Sequence, residues 1–81
     1  MEKIIDRTAI TKIVAMIEEE AKEEWPAMFK TYPYLRVTAI LSKSDEEITF
    51  VDKESLRLNL MTLADCLGLD YYQLIAIAYQ K

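Results

Sequence analysis

The chain contains a single glycine, Gly68, which lies between two apolar stretches in the C-terminal third. Because glycine lacks a Cβ atom, it readily takes up the left-handed conformation that ends many helices. On both sides of it, apolar residues recur every three or four positions, as on the buried face of a helix. The sequence therefore predicts two helices, over residues 53–67 and about 70–80, with Asp70 capping the second. The residues expected to be buried around the turn are Leu63, Ala64, Leu67, Leu69, Ile75 and Ala78.

The N-terminal third has the pattern of one long amphipathic helix over residues 8–24. Its apolar residues recur at helical spacing, and Asp6 or Thr8 offers a side-chain oxygen that can cap its first turn. Pro26 is expected either to end this helix or to begin another short turn. The opposite face is rich in glutamate between residues 18 and 24, which we interpret as a solvated helix face rather than a metal site. The apolar positions are Ile10, Ile13, Val14, Ile17 and Ala21.

The middle of the chain shows the alternation that is typical of β-strands. In residues 34–42, apolar and more polar side chains alternate, and Ile48 and Phe50 alternate similarly within residues 47–51. A polar stretch between them suits a hairpin loop, and Asp52 is expected to cap the next helix. The predicted fold class is α+β, in the order α-β-β-α-α. A long N-terminal helix, a β-hairpin and a C-terminal helical pair would form one domain spanning residues 1–81.

Composition excludes several classes of function. The chain has 10 basic and 14 acidic residues, for a net charge of −4, so the basic surface typical of nucleic-acid binders is missing. Cys66 is the only cysteine and there is no histidine, so an intramolecular disulfide, a zinc finger and a histidine-dependent catalytic triad are excluded. We predict that the chain is not an enzyme and uses no cofactor or metal. Cys66 is expected to behave as a small hydrophobic residue.

Residues near Met1 lack the features of a secretory signal, and no apolar run approaches the roughly 18 residues of a membrane span. A cytoplasmic location is the expectation. The hydrophobic fraction, 52%, is high for a domain of 81 residues, which buries only about 60–65% of the surface of its unfolded chain. Some apolar surface is therefore expected to remain exposed and to bind a partner.

Residues 60–78 resemble the helix-turn-helix of the phage repressor and Cro class. The resemblance depends on small Ala64 in the first helix, Gly68 at the turn, aliphatic Leu69 after it, and buried Ile75 and Ala78 in the second helix. It implies a dimeric transcriptional regulator whose second helix enters the major groove of DNA. The residues that would then contact DNA are Tyr71, Tyr72, Gln73, Gln80 and Lys81.

The charge of this segment favours a protein partner over DNA. Over residues 56–81, Arg57 and Lys81 are balanced by Asp65 and Asp70, whereas DNA binding requires an excess of positive charge. The outward face of the last helix is predicted to be aromatic and aliphatic, which suits a protein interface. The residues predicted to bind this partner are Tyr71, Tyr72, Ile77, Tyr79 and Trp25.

Two hypotheses follow. The first is a small, acidic, non-catalytic domain of the interaction or inhibitor type that binds another protein or forms a homodimer. The short length and the acidity of the chain resemble those of phage or mobile-element accessory proteins. The alternative is the DNA-binding regulator that the helix-turn-helix resemblance implies.

Overall fold

The regular structure of this protein is entirely helical over residues 6–80, the part of the chain that the computed structural model describes. Four α-helices are accompanied by two short 3-10 helices, Pro26–Lys30 and Asp45–Glu47. The α-helices are α1 (Arg7–Glu24), α2 (Tyr32–Leu41), α3 (Phe50–Cys66) and α4 (Tyr71–Ala78).

The predicted β-hairpin is wrong, and the α+β fold class is wrong with it, because residues 6–80 contain no strand. Residues 34–42 belong to α2, whose buried side chains Val37 and Ile40 are three positions apart, as on a helix face. The alternation that indicated a strand includes Leu35, which is 51% exposed. Apolar residues occupy both odd and even positions here, so the segment fits the two-residue alternation of a strand and also the three- and four-residue spacing of a helix. Pro33 in the first turn favours the helix.

The second predicted strand, over residues 47–51, covers the end of the second 3-10 helix at Glu47, the connecting residues Ile48 and Thr49, and the first two residues of α3. The Thr49 hydroxyl accepts a hydrogen bond from the Asp52 backbone N–H at 3.0 Å, and the Asp52 carboxylate accepts one from the Thr49 N–H at 3.2 Å. This reciprocal pair is a capping box, which satisfies N–H groups that a helix leaves unpaired at its start. Thr49, rather than the predicted Asp52, is therefore the N-cap, and α3 begins at Phe50.

The first helix lies almost where the sequence predicts it. The Asp6 carboxylate caps α1 by accepting a hydrogen bond from the Ala9 backbone N–H at 3.2 Å. Trp25 is the C-cap of α1, and Pro26 begins a 3-10 helix that leads to α2. Pro26 therefore both ends one helix and starts the next, since its missing N–H is not needed in a first turn.

The hydrophobic core forms around α3, which contacts the other three α-helices. α2 packs along α3, and α1 packs against α4 and α3. The arrangement is flat, with Cα extents of 39 × 29 × 15 Å. The largest side chains that are fully removed from solvent are Ile13, Ile17, Met28, Val37, Ile40, Leu60 and Leu63.

One buried carboxylate connects α2, α3 and the loop between them. Asp52 is only 4% exposed, and its two oxygens accept hydrogen bonds from the Arg36 guanidinium at 3.2 Å and the Lys43 ammonium at 2.7 Å. The hydrogen bond from Lys43, followed by the one from the Thr49 backbone N–H, lowers the pKa of Asp52 below its ordinary value. Because an unpaired buried charge is strongly destabilising, the carboxylate holds these three segments in one arrangement.

Polar contacts also fasten α1 to α2 and to the loop that follows it. The Tyr34 hydroxyl on α2 donates a hydrogen bond to the Glu18 carboxylate on α1 at 2.6 Å. This bond raises the pKa of Tyr34 to about 12. The Arg7 guanidinium reaches the loop, donating to the Leu41 carbonyl at 2.8 Å and to the Asp45 carboxylate at 2.7 Å.

The turn at Gly68 confirms the predicted end of α3. Gly68 has a φ of +73°, and its N–H donates to the Asp65 carbonyl at 3.0 Å, while the Leu69 N–H donates to the Ala64 carbonyl at 2.8 Å. This pair of bonds is a Schellman motif, which satisfies carbonyls that would otherwise be unpaired at the helix end. Asp70 then caps α4 as predicted, and α3 and α4 are bent relative to one another by 114°.

Replacing Gly68 tests whether its backbone conformation is needed. We expect Gly68→Ala to lower the free energy of unfolding by about 1 kcal/mol, because a side chain disfavours positive φ. An added Cβ would meet no atom within 4 Å, so the loss would come from the backbone alone. Gly68→Asn should lower the free energy of unfolding by less than Gly68→Ala does, since asparagine tolerates a positive φ better than alanine. Urea unfolding of the three proteins measures the difference, and equal stability would contradict the positive φ.

Asp52 also makes stability depend on pH. Because its pKa is lower in the folded chain than in the unfolded chain, its ionic contribution is present above the unfolded pKa of about 3.9. That contribution is lost as the pH falls through the lowered folded value. We therefore expect Asp52→Asn to be less stable than the wild type at pH 6, with a gap that narrows toward pH 2. Urea unfolding between these pH values measures the gap, and a pH-independent gap would contradict the ion pairs.

Candidate partner-binding site

The outward side of α4 is an uncharged, partly apolar surface. Tyr72, Ile77 and the following Tyr79 are 66%, 50% and 55% exposed, and the segment from Tyr71 to Ala78 contains no aspartate, glutamate, lysine or arginine. Surface helices of soluble domains ordinarily carry charged residues on the side that faces water. We call the exposed side chains of this helix and its cap the α4 face: Tyr72, Gln73, Ala76, Ile77 and Tyr79.

Helical spacing divides the α4 face into two sides. Tyr72 and Tyr79 are seven positions apart, so their rings lie along the same side of the helix. Ile77 lies on the other side together with Gln73. The structure therefore confirms that Tyr72, Ile77 and Tyr79 are exposed, but it does not gather them into a single patch.

Tyr71 is a correction to the predicted surface, because it is only 8% exposed. As the first residue of α4 it lies on the same face as buried Leu74 and Ala78, which pack against the core. Burial raises the pKa of its phenol, and nearby Arg57 partly opposes that rise. Its ring contacts the Tyr72 ring edge-to-face, with 5.6 Å between centroids. Tyr71 thus supports the exposed ring of Tyr72 instead of offering a surface of its own.

An open groove of about 200 Å³ lies beside α4, between the first turn of α1 and the N-terminal half of α3. Its walls combine apolar side chains with cations at the rim. The Arg57 guanidinium donates to the Glu54 carboxylate at 2.9 Å, and the Lys53 ammonium lies 5.9 Å from the Phe50 ring centroid. Tyr79 belongs both to this groove and to the α4 face. The residues that line the groove are Asp6, Ile10, Lys53, Leu56, Arg57, Tyr71 and Tyr79.

Sequence reasoning missed this groove, because its lining comes from α1, α3 and α4, and α1 is far from the other two in the chain. No spacing motif connects Asp6 with Lys53 or Tyr79. Trp25, which the sequence predicted to bind the partner, is half-buried against the core at the other end of α1. With a rise of 1.5 Å per residue, it lies about 28 Å along the helix from Asp6. The structure therefore does not bring Trp25 to the site.

The residues predicted for DNA contact are placed as follows. Tyr72, Gln73 and Gln80 are exposed, Tyr71 is buried, and Lys81 lies outside the described residues. The Asp70 carboxylate accepts a hydrogen bond from the Tyr72 backbone N–H at 2.9 Å, so it places a negative charge at the start of α4.

Several further features bear on the kind of site that the chain can form. Cys66, expected to behave as a small hydrophobic residue, is the last residue of α3 and is exposed. Among residues 6–80, no group of three or more histidine, cysteine, aspartate or glutamate side chains is placed to hold a metal ion. In the same range no single helix is long and apolar enough to cross a bilayer. α3 and α4 would reach that length and composition only together, and they are sharply bent.

Comparison of this chain with protein-family models, with curated proteins and with solved structures finds no match. The assignment of function therefore depends on the α4 face and the adjoining groove.

Neighbouring tyrosines provide a direct test of this placement. We expect Tyr71→Ala to lower the free energy of unfolding by about 3 kcal/mol, as for other buried aromatic residues. Tyr72→Ala should change it by less than about 0.5 kcal/mol, because an exposed ring contributes little. Chemical denaturation followed by circular dichroism measures both variants. A larger loss for Tyr72→Ala than for Tyr71→Ala would reverse the assignment of the buried and exposed rings.

Proposed function

We propose that this chain is a non-catalytic helical interaction domain that binds another protein through the α4 face. The observation that carries the proposal is an exposed helix without any charged side chain, from Tyr71 to Ala78, in a chain where 30% of residues are charged. The cores of protein interfaces are depleted in charge and enriched in tyrosine. The α4 face has this composition.

The exposed rings have the chemistry of interface anchors. Tyrosine combines a large apolar ring with a hydroxyl that can bond to a partner, and it is enriched among the residues that contribute most to binding. Tyr72 and Tyr79 project from the same side of α4, so one partner surface can cover both. Ile77 and Gln73 extend the contact to the other side of the helix.

The helix that carries these rings is packed against the core along its buried side. Tyr71, Leu74 and Ala78 anchor α4 to the core, and the Asp70 cap fixes its first turn. The Schellman motif at Gly68 fixes its direction relative to α3. Binding therefore requires little ordering of the backbone, which lowers the entropic cost of association.

One observation supports DNA as the second candidate partner. α3 and α4 are joined by a short turn and bent by 114°, an angle within the range of helix-turn-helix motifs. The charge argues against it, because α4 has no cation and Asp70 places an anion at its start. Of the nearby cations, Arg57 is already paired with Glu54. Phosphate contacts, which supply most of the affinity for DNA, would have few donors here.

The test combines partner capture with matched variants of the whole chain. Immobilised wild-type chain is incubated with lysate of its source cells, one half treated with nuclease and one half untreated, and each captured protein is purified and titrated against the chain. We expect the double variant Tyr72→Ala and Tyr79→Ala to weaken binding at least 30-fold, the effect of losing about 2 kcal/mol. The control is Tyr32→Ala with Leu35→Ala on α2, which removes comparably exposed apolar residues. It should bind as the wild type does.

Three results would contradict the proposal. If the α2 control weakened binding equally, non-specific apolar contacts, and not the α4 face, would retain the partner. Unfolding of the α4 double variant would show that its rings belong to the core. Capture that disappears with nuclease, together with duplex DNA binding that falls steeply as salt rises, would establish the DNA-binding alternative instead.

A further inference from the structure

We infer that the groove beside α4 receives one large apolar side chain of the protein partner, with an acidic residue next to it that pairs with Lys53. This inference depends on the proposed function, because it assumes that a protein covers the α4 face. It names the chemistry that the partner must present.

The size and walls of the groove suit a single side chain. Its volume of about 200 Å³ is below the roughly 300–1,000 Å³ of pockets that hold drug-sized molecules. Ile10, Leu56 and the rings of Tyr71 and Tyr79 supply its apolar walls. Interfaces commonly place their strongest contact where one anchor side chain fills such a pocket.

The charges around the groove favour an acidic residue beside that anchor. Within residues 6–80, Lys53 has no carboxylate within 4.0 Å, whereas Arg57 is paired with Glu54. The Asp6 carboxylate is already used, because it caps α1 and is stabilised by the N-terminus of that helix. Lys53 is therefore the cation of the groove lining that has no carboxylate partner among these residues, and its ammonium lies 5.9 Å from the Phe50 ring centroid. A partner carboxylate would satisfy it at the edge of an apolar contact, where ion pairs are less screened than in water.

The groove and the α4 face form one continuous surface. Tyr79, the C-cap of α4, lines the groove and is also exposed on the side of the helix that carries Tyr72, seven positions earlier. A partner segment that crosses the Tyr72 and Tyr79 rings therefore reaches the groove without leaving the surface. This continuity selects a protein segment, and not a free small molecule, as the occupant.

The experiment titrates three small probes into the whole, isotopically labelled chain and follows its amide signals by NMR. N-acetyl-L-leucine carries both the apolar side chain and the carboxylate, its amide analogue lacks the charge, and N-acetylglycine lacks the side chain. We expect N-acetyl-L-leucine to shift the amides of Ile10, Lys53 and Tyr79 saturably, with millimolar affinity. The amide analogue should bind at least five-fold more weakly, and N-acetylglycine should not saturate.

The variant Lys53→Gln tests the role assigned to the cation. It should abolish the preference for the acid over the amide, while the control Lys30→Gln, a substitution of an exposed lysine away from the groove, should preserve it. Equal binding of the acid and the amide to the wild type would overturn the inference, as would saturable shifts confined to another surface. Groove shifts that appear on raising the protein concentration without any probe would also overturn it, because a second copy would then be the occupant.

The captured partner separates failure of this inference from failure of the proposed function. Lys53→Gln should weaken the partner at least five-fold. If the α4 double variant loses the partner and Lys53→Gln does not, the groove assignment is wrong and the proposed function stands. If Lys53→Gln loses the partner and the α4 double variant does not, the α4 face is not the interface, and the proposed function fails.

Discussion

The buried carboxylate of Asp52 fixes the position of α3, the helix against which the other three pack. It can stay ionised in its buried position only while Arg36, Lys43 and the start of α3 surround it. Removing one partner would leave this carboxylate with an unmatched charge, so the ion pairs favour one arrangement of α2 against α3. The next residue, Lys53, and Arg57 one turn later belong to the groove wall. The contacts of Asp52 that hold α2 against α3 therefore also position this wall of the groove.

A flat domain of this size cannot bury all of its apolar residues, so exposure alone does not identify a binding surface. Tyr32 and Leu35 on α2 are exposed, as are Val51 and Leu58 on α3. On α3, however, these residues alternate with charged side chains such as Glu54, which keep that face hydrated. α4 differs because it has no charge and adjoins a groove. The combination of these two features, rather than hydrophobicity by itself, distinguishes α4.

Local signals in the sequence predicted the helix ends better than the fold class. The Asp6 and Asp70 caps and the positive φ of Gly68 were predictable because each depends on a few adjacent residues. The hairpin was wrong because residues 34–42 fit both a helical and a strand periodicity, and the packing of α2 along α3, with Val37 and Ile40 buried, favours the helix. Thr49 followed by Asp52 at capping-box spacing was a readable signal for the earlier start of α3. The groove had no such signal, because three helices must assemble before it exists.

The acidity of the whole chain is compatible with an acidic partner residue at the groove. The glutamates on α1 concentrate between residues 18 and 24, while the groove adjoins Asp6 at the other end of that helix. At 1.5 Å per residue this places them about 18–27 Å along the helix from Asp6, beyond roughly two Debye lengths at physiological salt. Their repulsion at the groove is therefore largely screened, and the local charges decide which side chain binds there. Because Lys53 acts only at contact, it contributes orientation and specificity more than long-range attraction. Affinity must then come mainly from the apolar anchor and the two exposed tyrosine rings.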